Sequence, residues 1–128
     1  LPTQWPAAGR LTSPFGYRRS PFGRAAQFHK GLDLSNDRGT LVVAAAPGRV
    51  IRAFYNGGYG RFVEIDHGYG ITTRYAHLDR ILVREGDVVD RGQRIGRMGR
   101  TGRVTGTHLH FEVRIDGHAV DPLDYLPR

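Results

Sequence analysis

The sequence predicts an all-β domain with few or no helices, and three observations carry that expectation. Eighteen of the 128 residues are glycine, and they punctuate the chain too often for long helices. Between them lie short stretches rich in Val, Ile, Phe, Tyr and Thr at strand-like rather than helix-like spacing. Gly-containing pairs and triplets separate those stretches, and glycine supplies the positive φ that tight turns require.

The elements follow in order. Leu1 to Gln27 holds four of the seven prolines together with Trp5, Phe15, Tyr17 and Phe22. It reads as an irregular leading segment packed across a sheet, with residues 28–128 as the β core of a single domain spanning 1–128. "GRVIRAF" (48–54), "RFVEID" (61–66) and "ITTRYAHL" (71–78) read as successive strands. Asn56-Gly57-Gly58 and Gly68-Tyr69-Gly70 mark the turns between them. Short strands are expected at Ile81–Arg84 and Gln93–Met98 around a Gly86-Asp87 corner. "HLHFEVRI" (108–115) is the finishing strand, and "DPLDYL" (121–126) closes the chain with one helical turn.

Length and composition bound the function. A chain of this length buries a core without needing disulfides or metal to fold. The net charge is +7, which raises nucleic acid as a partner. The arginines, however, stand singly among Gly and apolar residues (Arg49, Arg52, Arg61, Arg74), and Lys30 is the only lysine. A solvated basic surface is the expectation, with no nucleic-acid partner. Cysteine is absent, which excludes thiol catalysis and thiolate metal sites and leaves the redox compartment open. The longest apolar stretch, "LVVAAAP" from Leu41, falls far short of the ~20 residues of a membrane helix, so no span is expected. With Leu1 in place of an initiator Met and no signal pattern, the chain reads as a mature form or an excised domain.

The histidines point to chemistry. In a strand over 108–115, His108, His110 and Glu112 share one face while Leu109, Phe111 and Val113 share the other. The apolar set belongs to the core, so two imidazoles stand side by side on a face that is wet or functional. One could bind a metal while its neighbour works on what the metal holds. "FHKGLDL" sets His29 and Asp33 four apart, a good partial shell for a borderline divalent ion, and His110 would complete a His₂Asp set with an open position. In "RYAHLD", strand alternation places Tyr75 and His77 on a common face. His67 and His118 lie in turn-like contexts and are expected on the surface.

"FHKGLD" (28–33), "RYAHLD" (74–79) and "GTHLHFEVR" (106–114), in this order with "VVAAAPGRV" and "GDVVDRGQRIGRMGRTG" between them, resemble the lysostaphin-like or LytM-type zinc metallopeptidases of family M23. The resemblance runs from "SPFGYR" at Ser13 to "VDPLDYL" ending at Leu126. It implies a lysostaphin-like β-sheet groove fold related to barrel-sandwich hybrids, one Zn²⁺ per chain, and endopeptidase action on peptidoglycan. It further implies His29, Asp33 and His110 as zinc ligands and His77 and His108 as a non-ligand catalytic pair. Which of those two is the general base stays open. Some members carry a tyrosine just before the first ligand where it can hold an oxyanion. Here that stretch reads "GRAAQF", so Tyr17 and Arg18 are the remaining candidates. The chemistry expected is attack by a water whose pKa zinc lowers toward ~7, with imidazoles moving its protons.

Other classes fit less well. A non-haem iron oxygenase also uses two His and one carboxylate, but its usual first pair is a closer H-x-D or H-x-E. A biotin or lipoyl carrier is suggested by "VREGDVVDRGQRIGRMG", yet the only lysine sits inside "FHKGLD". A non-catalytic wall-binding or amidase-activating relative would have lost ligands, whereas all five positions are filled here. The expectation is a monomeric periplasmic or extracellular zinc endopeptidase acting on stem peptides. Diaminopimelate-type cross-links are expected over polyglycine, because Arg97, Arg100 and Arg103 recur every third residue just before the final strand. Guanidinium groups there, with Arg100 and Arg103 foremost, could hold stem carboxylates.

Overall fold

The structure is a computed structural model and describes all residues, 1–128. Twelve strands follow one another: β1 (Arg10–Ser13), β2 (Gly16–Arg19), β3 (Ala26–His29), β4 (Leu32–Ser35), β5 (Leu41–Val43), β6 (Gly48–Tyr55), β7 (Arg61–Asp66), β8 (Ile71–Ile81), β9 (Val88–Val89), β10 (Arg94–Met98), β11 (His108–Ile115) and β12 (His118–Val120). Single 3₁₀ turns occupy Gly57–Tyr59 and Pro122–Asp124, and there is no α-helix. The all-β expectation therefore holds. The strands at 61–66 and 108–115 fall where alternation placed them, as does the closing turn at 122–124.

Ten strands form one sheet in the order β1-β4-β11-β8-β7-β6-β9, with β10 bridging β5 and β8 and β12 pairing with the far end of β11. Strands β2 and β3 form a separate hairpin. Every pairing is antiparallel. Strand β11 lies between β4 and β8, so its register decides what meets in the middle of the sheet. Leu109 and Phe111 pair with Leu34 and Leu32, and Phe111 also pairs with Tyr75. These side chains are fully buried, together with Val113, Ile95 and Met98. Each such burial is worth about 1.5–3 kcal/mol, so the apolar face of β11 anchors the strand and thereby aims its other face.

The leading segment departs from the irregular path expected of it. Residues 10–13 form edge strand β1 on β4, pairing Arg10 with Ser35 and Leu11 with Leu34, and residues 16–19 form half of the hairpin. "RLTS" contains one apolar residue and is almost wholly exposed, so the strand leaves no hydrophobic period to read. The remainder does lie across the sheet: Gln4 N–H donates to the Ala45 carbonyl and Val43 N–H to that of Pro6, while Trp5 Nε1–H donates to the Pro127 carbonyl at 2.7 Å. Of the strand expected at Ile81–Arg84, only Ile81 is in a ladder, as the last residue of β8. Arg84 N–H donates to the Asp87 carboxylate and closes the corner instead.

One glycine is needed to bring the two halves of the site together. A Cβ at Gly31 would lie 2.2 Å from the Phe111 carbonyl oxygen. Only a residue without a side chain lets the β3–β4 corner, which carries His29 and Asp33, close onto β11.

Candidate metal centre

The β4–β11 register pairs Asp33 directly with His110, and the β3–β4 corner brings His29 alongside. His110 Nδ1 lies 2.9 Å from Asp33 Oδ1. His29 Nε2 lies 3.2 Å from the same oxygen and 3.2 Å from His110 Nδ1. All three residues are buried, and their ligand atoms fall within 4.8 Å of one another.

The outer nitrogens fix which way these rings present their lone pairs. His29 Nδ1 faces the Pro14 carbonyl at 2.9 Å, so it carries the proton. His110 Nε2 faces Glu112 Oε2 at 2.8 Å and likewise donates. When both rings are neutral, their inward atoms are bare lone pairs converging with a carboxylate oxygen. Three donors without an intervening positive charge repel one another, and a divalent cation is the species that such a set accommodates. The same demand for positive charge appears in the pKa values. Burial alone would lower His110, but its bonds to Asp33 and Glu112 outweigh that and raise it to about 9. Burial would raise Asp33, yet the hydrogen bonds and charges of His110 and His29 hold it well below the ordinary carboxylate range. The residues present therefore fit a metal.

Two further imidazoles flank the cluster. His108 Nδ1–H donates to the Gly106 carbonyl at 3.0 Å, leaving Nε2 bare and 3.8 Å from Asp33 Oδ1. His77 Nδ1–H donates to the Thr101 carbonyl at 2.8 Å. The His77 and His108 rings are 4.9 Å apart, centroid to centroid. Burial, reinforced by the charge of His108, pushes His77 down to about 4. Burial also lowers His108, against the opposing pull of Asp33.

His77 does not share a face with Tyr75, as alternation predicted. Tyr75 is fully buried in the core, while His77 lines the groove with His108 and His110. Between Tyr75↔Val63 and Leu78↔Arg61, β8 advances three residues while β7 advances two. The extra residue is a β-bulge, and His77 takes a left-handed φ of 64°. Bulges beside functional sites commonly re-aim a side chain in this way.

The groove above these residues has a volume of about 870 Å³. Arg18, Lys30 and Arg103 line it. Arg18 Nη1 donates to Asp33 Oδ2 at 3.3 Å and to Ser13 Oγ at 2.6 Å, and its buried Nε–H has no partner. The Arg103 guanidinium stacks over the Phe22 ring at 4.2 Å. The other sequence candidates lie elsewhere. Tyr17 is 83% exposed, set edge-on against Phe28 and outside the groove lining. Arg100 is exposed and also outside the lining, and Arg97 donates to the Gly39 carbonyl. His67, expected on the surface, is instead half-buried and bonded to Pro47 and Thr73, whereas His118 is exposed. Alternation puts Glu112 on the histidine face but says nothing of its role. Tyr59, whose Gly-rich turn carries no motif, and the backbone carbonyls of Pro14, Thr101 and Gly106 leave no signature in the sequence.

The all-β sheet thus gathers on its groove floor a His₂Asp cluster that could hold a metal ion, with two further imidazoles beside it. The chain belongs to peptidase family M23, whose model matches residues 27–122. It is 45% identical over 114 residues to the DD-carboxypeptidase/endopeptidase Mpg of Neisseria meningitidis serogroup B, covering 89% of this chain and 26% of that protein. It is 39% identical over 129 residues to the murein hydrolase activator NlpD of Escherichia coli K12, covering 98% of this chain and 31% of NlpD. A crystal structure of a zinc-containing peptidase from Vibrio cholerae superposes with a TM-score of 0.86 at 37% identity, covering 93% of this chain and 38% of that one. The chain thus spans about a quarter to a third of the length of these curated relatives.

Proposed function

We propose that residues 1–128 form one catalytic domain, a monomeric zinc endopeptidase that hydrolyses peptide cross-links of peptidoglycan in the periplasm or outside the cell. His29, Asp33 and His110 would hold one Zn²⁺. Bound there, zinc supplies a water of lowered pKa and a Lewis acid for the scissile carbonyl. The observation that carries the reading is the second pair of imidazoles: His77 and His108 sit beside the ligand set, each with its outer nitrogen committed to a carbonyl.

His108, whose Nε2 is left bare, would take a proton from the attacking water, and the protonated ring would pass it to the leaving amine. His77, held by the bulge, shares that work or orients the water. Of the two oxyanion candidates the reading keeps Arg18, which lines the groove beside Asp33, whereas Tyr17 lies outside the lining. The cations lining the groove suit stem peptides, which carry free carboxylates, so diaminopimelate-type cross-links are the preferred substrate.

A second reading rests on the similarity to an activator: a domain that binds the wall and stimulates an amidase. Digestion of purified diaminopimelate-type peptidoglycan with mass analysis of the products separates the two. Cross-linked muropeptides converted to monomers by the wild type, and not after metal chelation or by His110→Ala, support the endopeptidase. Intact cross-links, with faster release of stem peptides when an amidase is added, support the activator.

A further inference from the structure

Strand β11 carries a third groove-facing residue, Glu112, which is 1% exposed and has both carboxylate oxygens engaged. Oε2 accepts from His110 Nε2 at 2.8 Å and from the Tyr59 hydroxyl at 2.8 Å, and Oε1 accepts from Arg114 Nε at 2.8 Å. Tyr59 is itself held by Arg74 Nη1 at 3.2 Å, and Arg74 Nε donates to Glu64. With both oxygens engaged and the residue only 1% exposed, this carboxylate is turned to its protein partners rather than to a substrate. What it does is fix the His110 ring.

We propose that Glu112 is a positioning residue for the metal centre: by accepting the Nε2 proton it holds His110 with Nδ1 bare and turned toward His29 and Asp33, while Tyr59 and Arg114 keep the carboxylate in place. The inference rests on the assignment of His110 as a ligand. A neutral imidazole has one proton and one lone pair, so a permanent acceptor at Nε2 determines that the lone pair is at Nδ1. The negative charge also raises the basicity of the ligating nitrogen, and removing such partners typically weakens metal binding about 10–100-fold. Tyr59 forms part of the groove wall, so the support for His110 reaches the surface that a substrate touches.

The test compares wild type, Glu112→Gln, Tyr59→Phe and His110→Ala. Zinc affinity is read by competition with a chelating indicator, ligand geometry from the visible spectrum of the Co²⁺-substituted protein, and folding from circular dichroism. Glu112→Gln keeps shape and one acceptor oxygen but loses the charge. It is expected to bind zinc about 10–100-fold more weakly and to shift the Co²⁺ bands, which a purely structural role would not move. Tyr59→Phe, which removes one support and not the His110 contact, is expected to lose less affinity in the same direction. Folded Glu112→Gln with wild-type affinity and an unchanged Co²⁺ spectrum overturns the proposal. If that variant does not fold, an unchanged Tyr59→Phe overturns it instead. Wild type that fails to bind zinc, or His110→Ala that binds it as well as wild type, overturns the ligand assignment and this inference together.

Discussion

Tyr75 and His77, two residues apart on one strand, point to opposite faces of the sheet: the phenol enters the core and the imidazole enters the groove. A residue with a Cβ at positive φ costs of order 1–2 kcal/mol, and the bulge spends that amount on placing His77 opposite His108. The consequence is an inverted order of substitution. His77→Ala keeps the Cβ at a φ of 64°, whereas His77→Gly relieves it. His77→Gly is therefore expected to be the more stable of the two by about 1 kcal/mol, although glycine in a strand is ordinarily the worse choice. Urea denaturation of both variants decides this, and the usual order, alanine above glycine, would show that the bulge is unstrained.

The metal assignment makes a stoichiometric prediction. Wild type should carry one zinc per chain by elemental analysis, and His29→Ala and His110→Ala should lose it, because each removes one of only three protein donors. Full occupancy in both variants would sink the ligand set.

His77→Ala and His108→Ala should keep zinc and lose kcat, by about 10²-fold or more each, the usual worth of positioned proton transfer. Their losses should combine less than multiplicatively if the two rings act as a unit. Near wild-type turnover in either variant, with zinc retained, removes that residue from the mechanism.

The fold and the candidate site were legible in the sequence in unequal degree, for physical reasons. The two faces of β11 follow from strict alternation between His108 and Val113: Leu109, Phe111 and Val113 enter the core while His108, His110 and Glu112 line the groove. Strand β12 rather than β11 is the last, however, and both faces of β11 are largely buried. The His29-Asp33-His110 grouping was legible because all three are side-chain donors in short motifs, and cross-strand register does bring them together. The face of His77 was misjudged, since a bulge breaks the alternation while leaving the apolar pattern intact. Strand β1 was invisible because an exposed edge strand of four residues has no buried face to impose a period. His67 was misjudged because its partners, the Pro47 carbonyl and the Thr73 hydroxyl, are 20 and 6 residues away.

His67 has a pH signature of its own. Its Nδ1–H donates to the Pro47 carbonyl at 2.7 Å, so in the neutral ring Nε2 accepts from the Thr73 hydroxyl at 2.8 Å. Thr73 in turn accepts from Tyr75, whose oxygen takes the Ala45 N–H. Protonation would turn Nε2 into a donor and break this chain. Burial, against the Pro47 bond, holds the pKa of His67 below its ordinary 6.5. The unfolded chain then binds more protons than the folded one in the window below about 6.5. His67 contributes its full stability above that value and loses it as the pH falls toward the folded pKa. His67→Ala should cost about 1–3 kcal/mol at pH 7.5, and its deficit should shrink on acidification. Urea unfolding of both proteins from pH 7.5 to 5.5 gives the answer, and parallel stability curves would refute the assignment.

The last prediction concerns what the groove accepts. By spacing alone, Arg97, Arg100 and Arg103 are equivalent candidates for holding stem carboxylates. The fold separates them: Arg97 is tied to the Gly39 carbonyl, Arg100 lies outside the lining, and Arg103 lines the groove over Phe22. A polyglycine bridge is neutral and gains nothing from the guanidinium, whereas a diaminopimelate-containing stem can form a charge-assisted hydrogen bond with it. Cross-linked muropeptides should therefore be cleaved in preference to pentaglycine. Arg103→Gln should raise KM several-fold with kcat nearly unchanged, since an interaction made equally in ground and transition states affects binding alone, and Arg97→Gln should leave KM where it was. Rising salt should raise the wild-type KM and affect Arg103→Gln less, because that variant has already lost the screened contact. Cleavage of pentaglycine with intact muropeptides would refute the preference, and a salt-independent KM would remove the arginine from the explanation even if the preference held.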